Sequence, residues 1–154
     1  MDKTDIKILN ILQKDCMISY KDIANKIGLS YNPTYERIKK MEEDGVIKAR
    51  VTLLNPAKVG LKLLVYCNII LKEQSKKSLL DFEKTVEKIP EVIEVVSLSG
   101  IYDYMIKIVT TDIETYNNFI MNKIANIPNI SQYHSNIVLS VVKDTTEYPL
   151  NSKD

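Results

Sequence analysis

The chain has 154 residues, 45% hydrophobic and 27% charged, with a net charge of +1, a balance that excludes disordered and collagen-like classes. No apolar run approaches the roughly 18 residues that span a bilayer, and MDKTDIK lacks a basic-then-apolar signal layout, so the expected location is the cytoplasm, with no membrane partner. Charge is uneven: residues 1–60 carry 11 Lys+Arg against 8 Asp+Glu, residues 61–154 carry 10 against 12, and both arginines, Arg37 and Arg50, fall in the first part. A polyanion partner is expected at that end. Cys16 and Cys67 lie 51 residues apart in apolar-periodic segments, which predicts two buried thiols and neither a disulfide nor a metal site.

In chain order, Thr4 is placed to cap a first helix whose apolar stripe is Ile6, Leu9, Ile11 and Leu12, with Ile8 beside them, running to about Lys14. Ser19 and Asp22 have capping-box spacing and open a second helix with Ile23, Ala24 and Ile27 inward. Gly28 is the expected left-handed residue after it, Leu29 an apolar plug, and Ser30 the cap of a third helix with Pro33 in its first turn, ended by Gly45.

Winding that third helix at 100° per residue puts Thr34, Ile38 and Met41 on one side and Asn32, Pro33, Glu36, Lys39, Lys40 and Glu43 on the other, with Tyr35 and Arg37 on the flanks. A solvated amphipathic helix shares this partition. The tight Gly28 turn and the three-helix spacing favour a helix-turn-helix, whose second helix shows its polar face to the major groove of double-stranded DNA. The expected DNA-facing set is Ser30, Tyr31, Asn32, Pro33, Tyr35, Glu36, Arg37, Lys39 and Lys40. Asn32 can contact adenine in two places, Arg37, Lys39 and Lys40 suit phosphates, and Glu36 can accept from cytosine or pair with Lys40. Val46–Leu54 is β-rich and reads as a strand, with Lys48 and Arg50 near the phosphate backbone, until Asn55-Pro56 breaks it.

The expected domains are 1–50, a strand and linker over 51–60, and 61–154. In the last, strands at Lys62–Leu71, Val92–Leu98, Tyr104–Val109 and Ser131–Val142 alternate with helices at Ser78–Lys88 and Ile113–Ala125, giving the β-α-β-β-α-β order of a ferredoxin-like fold. Both helices exit alike, through Lys88-Ile89-Pro90-Glu91-Val92 and Asn126-Ile127-Pro128-Asn129-Ile130. The whole is therefore α+β. Both faces of the first strand are substantially apolar, so sheet-to-sheet dimerisation is expected.

Six pieces in order resemble the Lrp/AsnC family of transcription regulators. They are Asp5-Ile6-Lys7-Ile8-Leu9 with Leu12-Gln13, then Ile23-Ala24 with Gly28-Leu29-Ser30, Arg37-Ile38-Lys39-Lys40-Met41-Glu42, Gly45-Val46-Ile47, Gly100-Ile101-Tyr102-Asp103-Tyr104 and Ile137-Val138-Leu139. The resemblance implies a winged or simple helix-turn-helix joined to a domain that dimerises, often assembles to octamers, and binds an amino acid between dimers. Gly100, Ile101, Tyr102, Asp103 and Tyr104 then become effector-binding candidates, with Asp103 suited to an α-ammonium group or to a purely structural turn. Tyr133, His134 and Ser135 on the last strand join them. No cofactor is expected. One histidine, with no phosphate loop and no GxSxG, argues against an enzyme. Two alternatives remain: a sensor without DNA binding, and a relative of the sirohaem decarboxylases, which resemble the same architecture but rely on histidine and arginine chemistry.

Overall fold

Asp2, two residues earlier than expected, caps the first helix. In the computed structural model, which describes Met1–Leu150, its carboxylate accepts from the N–H groups of Thr4 and Asp5 at 2.8 and 2.9 Å, while the Asp5 carboxylate accepts from Asp2 N–H at 2.8 Å. This reciprocal box leaves Thr4 as the second residue of α1 (Lys3–Leu12), where its hydroxyl has no capping role. Ser19 caps α2 (Tyr20–Ile27) by accepting from Asp22 N–H at 3.1 Å, but the Asp22 carboxylate takes the Ser19 hydroxyl instead of its backbone, so the box is not reciprocal. Gly28 stands at φ +73°, as a left-handed cap requires, and Leu29 N–H closes on Ala24 C=O at 3.0 Å. Leu29 itself stays exposed and plugs nothing. Ser30 precedes α3 (Tyr31–Glu43) without a side-chain cap.

Ile8, Leu9 and Leu12 of α1, Ile23 of α2, and Ile38 and Met41 of α3 close into one buried cluster. Burying a leucine or isoleucine side chain contributes about 1.5–3 kcal/mol. Ile38 is fully buried between the helices.

Val46–Leu54 forms no strand. Its residues have β propensity, but a strand needs a neighbour for its N–H and C=O groups, and no segment of the described chain pairs with it. It runs unpaired, with Val51, Leu53 and Leu54 exposed, into a 3-10 turn at Pro56–Val59 that Asn55 caps.

The second unit carries β1 (Leu63–Leu71), α4 (Lys76–Val86), β2 (Val92–Ser97), β3 (Tyr104–Thr110), α5 (Ile113–Asn122) and β4 (Ile130–Ile137). The strands form one antiparallel sheet in the order β2-β3-β1-β4. Period-2 alternation sends Val65, Cys67, Ile69 and Leu71 of β1 and Tyr104, Ile106 and Ile108 of β3 to one face, where Phe82 and Val86 of α4 and Tyr116, Phe119 and Ile120 of α5 cover them. Glu91 and Lys123, each beside a proline exit, pair at 2.6 Å.

β4 stops five residues earlier than expected. Val65 pairs Ile137 and Val138 N–H still reaches Leu64 C=O at 3.0 Å, but β1 begins at Leu63, so the edge strand runs out of partner. The chain divides into two compact units, Leu54–Val141 and Met1–Leu53 with the described residues from Val142 on. The described residues from Val142 on thus pack with the first unit, and Asn151–Asp154 lie outside the described residues.

Candidate nucleic-acid interface and effector site

On α3 the partition is clear. Thr34, Ile38 and Met41 are buried, while Tyr31, Asn32, Pro33, Tyr35, Glu36, Lys39 and Lys40 are exposed, as is the preceding Ser30. Thr34 is the one polar side chain inward, and its hydroxyl donates to Ser30 C=O at 3.0 Å, which satisfies it. Lys39 lies 3.6 Å from Glu43 one turn on, a screened pair that a phosphate can displace. The alternative pairing of Glu36 with Lys40 does not form among the described residues, which leaves Glu36 open on the polar face.

The two arginines depart from expectation. Arg37 is turned to α1, where its Nη1 donates to Asp2 at 2.6 Å and Asp5 at 2.7 Å. These carboxylates raise the guanidinium above its ordinary value, Asp5 most, and tie α3 to the start of α1. Arg50 donates to Glu42 at 2.8 Å and to the Tyr20 hydroxyl at 3.1 Å, with its guanidinium 5.5 Å from the Tyr20 ring. Both are engaged within the unit. Lys39 and Lys40 are left as the exposed cations on the polar face of α3.

Tyr20 was invisible in the sequence as a site residue. Its ring meets Tyr35 at 5.8 Å, and Tyr35 stacks on Tyr31 at 6.2 Å and 10°, so a row of three tyrosines flanks the polar face. Only the spacing of Tyr31 and Tyr35, four residues apart, could have hinted at it.

In the second unit, Gly100 adopts φ +155°, which only glycine takes easily, and Leu98 N–H closes the β2–β3 loop on Asp103 C=O at 2.9 Å. The Asp103 carboxylate holds two donors. One oxygen accepts from Leu71 N–H at 2.8 Å and the other from Gln74 Nε2 at 2.9 Å, which pins the loop to the end of β1. Asp103 therefore has a structural role, and each carboxylate oxygen keeps a further acceptor position. Tyr104 points to the core, its hydroxyl donating to Glu83 at 2.7 Å, so it takes no part in an open site. Of the other loop side chains, Ile101 is exposed and Tyr102 half-buried.

The candidates on β4 separate. His134 pairs Asn68 and shares the sheet's open face, where Tyr102 packs against its ring at 5.5 Å. Ser135 pairs Cys67 on the helix side and takes a hydrogen bond from the Tyr116 hydroxyl. Neighbouring strand residues point to opposite faces, so the His134 and Ser135 side chains lie on opposite sides of the sheet. A shallow depression of about 420 Å³ runs along Ile130–His134 beside Ala125. The open face continues through Tyr66, over whose ring Lys107 sits at 5.9 Å. Among the described residues no group of three or more His, Cys, Asp or Glu side chains is placed to hold a metal, and no helix is long and apolar enough to cross a membrane.

A three-helix reader with a left-handed Gly28 turn, joined to a split β-α-β domain, defines the class: a two-unit DNA-binding regulator with a ligand domain. Residues 1–48 match the winged helix-turn-helix DNA-binding model and residues 64–148 the Lrp/AsnC ligand binding domain. The chain belongs to the Lrp/AsnC family of transcription regulators. It is 36% identical to the transcriptional regulator AzlB of Bacillus subtilis (strain 168), over 98% of this chain and 96% of that one. It is 31% identical to the DNA-binding transcriptional activator DecR of Escherichia coli (strain K12), over 97% and 99%. Among solved structures it superposes on an AsnC family transcriptional regulator from Agrobacterium tumefaciens with a TM-score of 0.91 at 43% identity, covering 97% of each chain. A transcriptional regulator of Neisseria meningitidis in complex with L-Met gives 0.93 at 31%, covering 98% of this chain and 97% of that one. No hairpin wing follows α3 among the described residues.

Proposed function

We propose that α3 reads a double-stranded operator through Asn32 and the tyrosine flank, that Lys39 and Lys40 hold phosphates, and that an amino acid bound beside Tyr102 and His134 tunes the response. The observation that carries this is the exposed polar face of α3 set against its fully buried Thr34, Ile38 and Met41. The L-Met complex of the Neisseria relative supports an amino-acid effector. Homo-oligomers assemble through the sheet's open face, as dimers that build to octamers, and the protein works in the cytoplasm without catalysis. Several copies are needed because Glu36, Glu42, Glu43 and Asp44 offset the lysines of α3, so one reader alone binds weakly.

Anisotropy titrations on the protein's own upstream DNA, with an amino-acid panel at fixed salt, test this. Asn32→Ala should lose about 1–3 kcal/mol of discrimination at one base position. Lys39→Ala should weaken all sequences alike and lower the log–log salt slope by about 1. Uniform weakening in both variants removes Asn32 as a base reader. Amino-acid binding without any DNA shift at low salt leaves a sensor alone, and a porphyrin absorption band would turn the reading to the decarboxylase alternative.

A further inference from the structure

Ser140–Pro149 is exposed, yet its far end is held. On α1, Asn10 and Gln13 stand three residues apart and so share one side of the helix. Gln13 engages a single backbone residue twice: its Oε1 accepts from Tyr148 N–H at 2.6 Å, and its Nε2 donates to Tyr148 C=O at 3.2 Å. Asn10 Nδ2 donates to Leu150 C=O at 3.3 Å, and the two side-chain amides meet at 3.5 Å. A primary amide has a donor side and an acceptor side, which matches the N–H and C=O of one extended residue.

Between these contacts, Pro149 restricts the chain, and Leu150 N–H donates to Tyr148 C=O at 2.9 Å. The turn delivers the Leu150 side chain onto the cluster of Ile8, Leu9, Leu12, Ile23, Ile38 and Met41. The amides recognise backbone of any sequence; the apolar seat selects the leucine. The chain passes between the two units twice, after Leu53 and before Val142. The second passage continues β4, the strand that carries His134.

We propose that Asn10, Gln13 and the apolar cluster form a docking seat for Tyr148-Pro149-Leu150, which makes Lys143–Leu150 a second, releasable strap between β4 and the reader. Among the described residues its holding elements are three hydrogen bonds to neutral amides and one partly buried side chain. Such a seat can open without unfolding the helices beneath it. This strap stands whether or not the effector and operator readings do, because its contacts involve neither DNA nor an amino acid.

Amide hydrogen exchange on the full chain, on Leu150→Asp, on Gln13→Ala and on a chain stopped after Val142 tests it. Protection of the α1 amides should fall by about tenfold or more in all three variants, with α4 and α5 unchanged. A synthetic peptide copying Asp144–Leu150, DTTEYPL, should then restore protection saturably in the stopped chain and fail when that chain also carries Gln13→Ala. Wild-type protection in Leu150→Asp overturns the seat. If the stopped chain loses its reader fold, failure of the peptide to restore it overturns the proposal as well. Protection of α1 that rises with protein concentration in the intact chain would place the segment of a second copy in the seat and overturn a strap within one chain.

Discussion

Replacing Arg37 by methionine separates two roles that one guanidinium cannot fill together, holding a phosphate and holding the reader's own helices. Methionine keeps an unbranched stem and a good helix propensity while removing the charge. In the folded chain the lost contacts are those at 2.6 Å to Asp2 and 2.7 Å to Asp5. The Arg37 side chain is 36% exposed and that of Asp5 only 14%, so water screens one end of the pair and not the other. Measured pairs of this kind contribute 0.2–1 kcal/mol, and the covered Asp5 places this one at the upper end, about 1 kcal/mol. For a unit of this size that lowers the thermal midpoint by roughly 4–8 °C. The sign with pH is fixed by Asp2, whose carboxyl is held below its ordinary value by the Asp5 N–H and then by Arg37. A lowered value adds stability above the unfolded value of about 3.9 and loses it as pH falls through the folded one. The gap between wild type and Arg37→Met should therefore be full at neutral pH and narrow below about pH 4. Circular dichroism melts at both pH values, beside anisotropy titrations at several salt concentrations, measure the two roles separately. An unchanged midpoint with a salt slope smaller by about 1 would refute the helix-tying role and return Arg37 to the phosphates.

Three further outcomes are expected. Gly28→Ala meets nothing within 4 Å of the added Cβ, so its cost is backbone strain alone at φ +73°, about 1 kcal/mol by denaturant titration. Burial pushes the Cys67 thiol up to about 11, so iodoacetamide at pH 8 should label Cys16 in the folded chain and spare Cys67, as read by mass spectrometry. Burial and the Glu83 carboxylate push the Tyr104 hydroxyl up to about 12. Its stabilising effect is whole below the unfolded value of about 10 and is lost as pH rises through the folded one, so Tyr104→Phe should remove the latest step of an ultraviolet tyrosine titration.

Local signals explain what was legible in the sequence. Gly28 needed positive φ, Ser19 had its cap spacing, and β1 and β3 alternate so strictly that their inward set follows from period alone. Where two residues competed for one role, spacing could not decide: Asp2 with Asp5 out-caps Thr4 because a carboxylate at the cap can be answered from the third helical position. Where the deciding partner is distant, nothing local exists to read. Val46–Leu54 lacks a neighbouring strand, β4 ends where β1 has no residue left to pair, and Arg37 finds carboxylates more than thirty residues earlier. The candidate site divides the same way. The polar face of α3 was visible, and the separation of His134 from Ser135 is strand alternation, whereas the two donors on Asp103 come from Leu71 and Gln74, 32 and 29 residues earlier, where no local signal points.

The seating of Leu150 on the reader's cluster also sets an order of assembly during synthesis. Ile38 leaves the ribosome more than a hundred residues before Leu150 does, and at roughly 5–20 residues per second that gap lasts about 5–20 seconds. For that interval the three helices stand with one side of their core uncovered while the sheet is still being made. The nascent reader must then persist on Ile8, Leu9, Leu12, Ile23, Ile38 and Met41 without Leu150, so its earliest vulnerability to proteases and to neighbouring nascent chains lies at α1, the helix that waits for its cover.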